Sequence, residues 1–148
     1  MPLHKRYKKL VELKARSLMS YPAITLPINS SLYEVVETMY REKIGSVIIV
    51  DGGGKITGII TERDIIYAAS RGLFKTEDIK AESLMNRSVV TVNEESSIYE
   101  VIDKMRAHNI RHLPVIDGQG KPVGVISLRD LIDFSVSLLK ILMLPEEG

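Results

Sequence analysis

Slid against itself by 66 residues, the chain repeats. Ser17-Leu18-Met19 falls on Ser83-Leu84-Met85, Ser31-Leu32-Tyr33-Glu34-Val35 on Ser97-Ile98-Tyr99-Glu100-Val101, and residues 58–64 on 124–130. Residues 17–66 and 83–132 align without a gap, 20 of those 50 positions are identical, and ten of the others exchange one aliphatic for another. Self-similarity of this kind constrains architecture before any local pattern does. A unit of about 50 residues buries too little surface to be stable alone, so the two copies are expected to share a core. Any site in one copy should return in the other, related by a pseudo-twofold axis.

Composition narrows the class. The 148 residues match one domain, and 45% hydrophobic with 26% charged residues reads as soluble and globular. There is no Trp, and Phe74 and Phe134 are the only Phe, so aliphatic packing dominates. With no cysteine, disulfides and thiolate chemistry are excluded, which fits an intracellular, cytoplasmic protein. No signal-peptide core or run of about 20 apolar residues occurs, so no membrane span is expected. The most apolar stretch, 131–144, is interrupted by Asp133 and Lys140 and reads as a helix buried against protein. A net charge of +1 gives no global electrostatic reason to expect nucleic acid.

Within one copy, the short β-branched run 23–26 reads as a strand, and 89–92 as its twin. Ser31-x-x-Glu34 and Ser97-x-x-Glu100 are capping boxes opening amphipathic helices, with Leu32, Val35, Val36 and Met39, or Ile98, Val101, Ile102 and Met105, at helical spacing. Residues 47–50, a glycine turn at 51–54 and residues 56–60 read as a hairpin, repeated at 113–116, 117–120 and 123–126. Each hairpin runs into Thr61-Glu62-Arg63-Asp64 or Ser127-Leu128-Arg129-Asp130 and then another helix.

This order, its doubling, Leu113-Pro114-Val115-Ile116-Asp117 and the closing Gly58-Ile59-Ile60-Thr61-Glu62-Arg63-Asp64 together resemble the cystathionine-β-synthase (CBS) domain. The tandem is similar to a Bateman module. The resemblance covers about residues 17–136 and implies an α/β (α+β) fold of two β-α-β-β-α repeats with flanking helices. The expected divisions are an N-terminal basic helix (1–16), repeat 1 (17–70), a linker (71–82), repeat 2 (83–136) and a helical tail (137–148). In that family, paired domains bind adenosine-containing ligands between the repeats and regulate an attached or partner protein.

The repeated Gly-x-x-Thr/Ser-x-Arg-Asp sits at a strand-to-helix junction. A hydroxyl beside the unpaired first amides of a helix can hold an anion such as phosphate. Arg63 or Arg129 would add a donor fork, while Asp64 or Asp130 could accept both hydrogen bonds of a ribose diol. Thr61-x-x-Asp64 and Ser127-x-x-Asp130 also read as capping boxes that need no ligand. Capping accounts for neither the Arg before each Asp nor the Gly before each hydroxyl.

The copies differ most at Arg111-His112, where the first has Gly45-Ser46. The resemblance implies that Arg111 and His112 face the phosphate of the ligand whose ribose Asp64 holds, leaving Gly45 and Ser46 to the Asp130 site. The Asp64 site is then expected to prefer the more anionic ligand. The resemblance also implies that Ile24 and Val90 meet adenine, with Ile59 and Val125 as walls; ordinary core is an equal reading of these four. Tyr21-Pro22 against Arg87-Ser88 makes the two base pockets differ in detail.

Other motifs lack required parts. Gly52-Gly53-Gly54-Lys55 lacks the earlier Gly and following Ser/Thr of a P-loop. His108 and His112 are four apart without the zincin Glu, and no Gly-x-Ser-x-Gly elbow or repeated carboxylate pair suggests catalysis, so neither a metal, a required cofactor nor an enzyme is expected. In the basic segment of Lys5, Arg6, Lys8 and Lys9, Leu3, Tyr7, Leu10 and Val11 should pack inward with the lysines in water. The apolar stretch 138–144 needs an apolar partner, most simply a second copy in a homodimer. The expected function is a stand-alone regulatory module binding AMP, ADP or ATP, or else S-adenosylmethionine or NAD(H), and signalling to a regulated protein. The alternative is a protein-interaction or nucleic-acid adaptor acting through the basic N-terminal helix.

Overall fold

The computed structural model describes residues 2–75 and 78–145; Thr76 and Glu77 of the expected linker and residues 146–148 of the expected tail lie outside the described residues. Each repeat builds a three-stranded sheet, in the orders β1-β2-β3 and β4-β5-β6. In the first, β1 (Thr25–Pro27) is parallel to β2 (Ser46–Val50), and α3 (Leu32–Glu42) makes the crossover. β2 then pairs antiparallel with β3 (Ile56–Thr61), which runs straight into α4 (Glu62–Ser70). The second repeats this with β4 (Val92–Asn93), α6 (Ile98–His108), β5 (His112–Ile116), β6 (Pro122–Ser127) and α7 (Leu128–Met143). Three further helices, α1 (Leu3–Val11), α2 (Ala15–Leu18) and α5 (Ala81–Leu84), precede or separate the repeats.

Local chemistry explains these elements. Ser31 Oγ accepts from the Glu34 amide at 3.1 Å while the Glu34 carboxylate accepts from the Ser31 amide, and Ser97 Oγ accepts from the Glu100 amide at 3.2 Å. α3 and α6 stop at Lys43 and Asn109, both in the left-handed region. In the hairpins, Asp51 Oδ1 accepts from the amides of Gly53 and Lys55, and Asp117 Oδ1 from those of Gln119 and Lys121. Gly54 and Gly120, both at φ +79°, close these turns in a conformation that costs glycine nothing.

Packing departs from the expected single core. Val35, Met39, Val47, Ile49 and Ile60 form one buried cluster, and Val92, Val101, Met105, Leu113, Val115 and Ile126 form another. Each is completed by a segment from the head of the opposite copy: Ala81 and Met85 enter the first cluster, Ala15 the second. Backbone bonds lock the exchange. Asn86 and Ile59 exchange bonds of 2.9 and 3.0 Å, as do Ser20 and Val125 at 2.9 and 3.1 Å. Gly124 must be bare for this, because a Cβ there would stand 2.7 Å from the Ser20 carbonyl oxygen.

The same exchange shortens the first strands. Ala23, expected in a strand with 24–26, instead donates its amide to Val123 of the other repeat, so β1 starts at Thr25. β4 is shorter still: Ile48 gives its amide to the Ile24 carbonyl, whereas Pro114 in the equivalent place has no N–H for Val90.

The terminal helices differ from expectation too. Among the described side chains of α1 the buried one is a cation: Arg6 donates to the carbonyls of Ile141, Leu144 and Pro145, closing the end of α7. Leu3 and Val11 are exposed rather than packed inward, and the side chains of Tyr7 and Leu10 lie outside the described part. The apolar stretch is part of α7, and no residue of α7 is fully buried within the chain. No helix among the described residues is long and apolar enough to cross a membrane.

Candidate functional site

The strand-to-helix junctions of the two repeats face the first strands of the opposite copies across two clefts. The smaller, about 520 Å³, is lined by Ile59, Thr61, Arg63 and Asp64 from the first repeat and by Val90, Arg111 and His112 from the second. The larger, about 1000 Å³, is lined by Val125, Ser127, Arg129 and Asp130 from the second and by Ile24, Gly45 and Ser46 from the first. Each cleft thus gathers the hydroxyl, Arg and Asp of one copy against the apolar strand entry of the other. Pro22 lines the larger cleft and Ser88 the smaller, so the base pockets have different walls.

At each junction the carboxylate closes the helix start. Asp64 Oδ2 accepts from the Thr61 amide at 2.8 Å and from its hydroxyl at 3.3 Å. Asp130 Oδ2 accepts from the Ser127 amide at 2.7 Å, and Ser127 Oγ accepts from the Asp130 amide at 3.2 Å. Capping is therefore realised in both copies, yet it uses one carboxylate oxygen. Among the described residues nothing bonds to Oδ1 of either Asp, and no carboxylate pairs with Arg63 or Arg129.

Arg111 and His112 line both clefts, not the Asp64 cleft alone as expected. The amide of Leu128 binds the Arg111 carbonyl at 2.8 Å, as that of Glu62 binds Gly45 at 3.1 Å, which ties each of these positions to the helix start of its own repeat. Glu62 also lines both clefts, and sequence reasoning missed it. The signal was present: Glu62 aligns with Leu128, a carboxylate set against an aliphatic inside an otherwise matching motif. Its side chain fills the space over Gly45, where a Cβ would also stand 2.7 Å from His112 Cε1. Burial pushes the His112 imidazole below its ordinary range; Glu62 opposes this, Arg111 adds to it, and Asp130 opposes it.

A family model described as CBS domain matches residues 15–71 and again 81–137. The chain belongs to the CBS-domain family. Among solved structures this CBS pair is similar to the CBS domain pair of protein MJ0100 in complex with 5′-methylthioadenosine and S-adenosyl-L-methionine. That likeness has TM-score 0.77 and 30% identity, covering 84% of this chain and 97% of that one. It is also similar to the CBS domain protein PAE2072 from Pyrobaculum aerophilum complexed with AMP, with TM-score 0.78 and 28% identity, covering 89% of this chain and all of that one. A 17.7 kDa protein of Acidianus ambivalens is 36% identical over 103 residues, 70% of this chain and 61% of the relative. The CBS pair spans 61%, 50% and 22% of the lengths of the first three curated relatives it matches.

Proposed function

We propose that this CBS pair is a regulatory module that binds adenosine nucleotides, AMP, ADP or ATP, in its two clefts and signals their level to a partner protein. The observation that carries the reading is the pairing, in each cleft, of one repeat's Thr/Ser-x-Arg-Asp junction with the other repeat's strand entry. The uncommitted Oδ1 of Asp64 or Asp130 suits a ribose diol, and the cations suit phosphate. The bound AMP, 5′-methylthioadenosine and S-adenosyl-L-methionine in the two similar structures support an adenosine ligand. Ligand moves an equilibrium only if it favours one state, so the signal is a conformational or oligomeric change.

The second state involves the exposed apolar face of α7. Val136, Leu139, Leu142 and Met143 are exposed there, and Ile66 and Tyr67 on α4 add to the uncovered surface. A homodimer is the proposed arrangement that covers them. The adaptor reading is weakened by Arg6, a basic residue of the N-terminal helix that points inward and is spent on α7.

The test is thermal unfolding with AMP, ADP, ATP, S-adenosylmethionine or NADH. A ligand that binds only the folded state, at 100 times its dissociation constant, adds about 2.7 kcal/mol. An unfolding temperature unmoved by any of them would overturn the reading.

A further inference from the structure

We propose that the two clefts divide adenosine ligands by charge, the Asp130 cleft taking the polyphosphate and the Asp64 cleft the less anionic ligand. This rests on the reading of the clefts as nucleotide sites and reverses the preference expected from Arg111-His112. Because Arg111, His112 and Glu62 line both clefts, they do not distinguish them. The residues outside the seam do.

Beyond its own Arg-Asp pair, the larger cleft has Arg41 and Lys43 from the end of α3. The twin positions at the end of α6 are Ala107 and Asn109, so the smaller cleft has no counterpart for either cation. Counting lining charges, Arg41, Lys43, Arg111 and Arg129 face Glu62 and Asp130, leaving the larger cleft two positive charges in excess. In the smaller cleft Arg63 and Arg111 face Glu62 and Asp64, and the balance is even. Lys43 at φ 55° and Asn109 at φ 50° end their helices in the same left-handed conformation, so Asn in place of Lys43 changes the charge and keeps the backbone. Among the described residues no carboxylate pairs with Lys43, Arg111 or Arg129, and Arg41 meets only its neighbour Glu42, at 3.5 Å. Room matches charge, since the cationic cleft is also about twice the volume.

The experiment is calorimetric titration of the intact chain with ATP, AMP and 5′-methylthioadenosine at two salt concentrations. The double variant R41A/K43N, which copies the twin residues, is compared with the natural chain, and Asp64→Ala and Asp130→Ala assign the sites. ATP should fill the cleft removed by Asp130→Ala and lose affinity about tenfold in R41A/K43N, with a flatter salt dependence. Binding of 5′-methylthioadenosine at the Asp64 cleft should not change. ATP held at the Asp64 cleft, or ATP affinity unaltered in R41A/K43N, overturns the charge division while leaving nucleotide binding intact. No saturable binding of any of the three overturns both.

Discussion

Asp64 and Asp130 each give one carboxylate oxygen to a helix start and keep the other free, so their two roles separate by measurement. Asp64→Ala and Asp130→Ala should each cost about 1 kcal/mol of stability in urea unfolding through the lost cap. Each should also cost about 1.5–3 kcal/mol of affinity at its own cleft, the scale of hydrogen bonds to a charged group. Loss of stability with unchanged affinity would mark a cap and nothing more. His112 supplies a pH dependence. Its folded imidazole is harder to protonate than the unfolded one, so the unfolded chain takes up the proton first as pH falls below 6.5. Stability should be greatest above that value and decline from there down to the lower folded value. His112→Asn should flatten the decline in a series of unfolding temperatures against pH. At this scale the repeated motif was legible because both copies carried it. Arg41 and Lys43 were not, because their importance comes from which cleft they line, and that depends on the seam between copies.

Helices and hairpins were legible where a polar residue fixes an end: Ser31, Ser97, Asp51 and Asp117 each act on backbone a few residues away, within reach of a sequence pattern. The first strands were not, because their limits depend on a distant partner. Ala23 is taken by Val123, and the proline at 114 withholds the bond that would lengthen β4. α1 misled for a similar reason. Its apolar residues suggested an inward stripe, whereas among its described side chains the buried one is Arg6, whose guanidinium takes carbonyls 135 to 139 residues away at the end of α7. Arg6→Leu should lower stability by about 1.5–3 kcal/mol and raise amide exchange across residues 3–11 and 136–144. Arg6→Lys should recover only part, since an ammonium cannot reproduce the planar fork.

Across the molecule, the doubled sequence carried over directly into two sheets of the same order, and the family followed from it. The exposed α7 face sets the prediction at this scale: Leu139→Glu should shift the sedimentation coefficient from that of a dimer to that of a monomer. A single-species monomer in the natural chain would remove the proposed homodimer.

The exchanged head segments bear on how the chain is made. Because the first cluster waits for Ala81 and Met85, it stays open at its far end until the head of the second copy has been made. The second reaches back to Ala15, more than a hundred residues before Ile126. Such distant closures are slow, since the loop must be restrained before its contacts reward it. On the ribosome, neither half has a finished interior until the other has begun to emerge, and the duplication that looks like two modules folds as one knotless clasp.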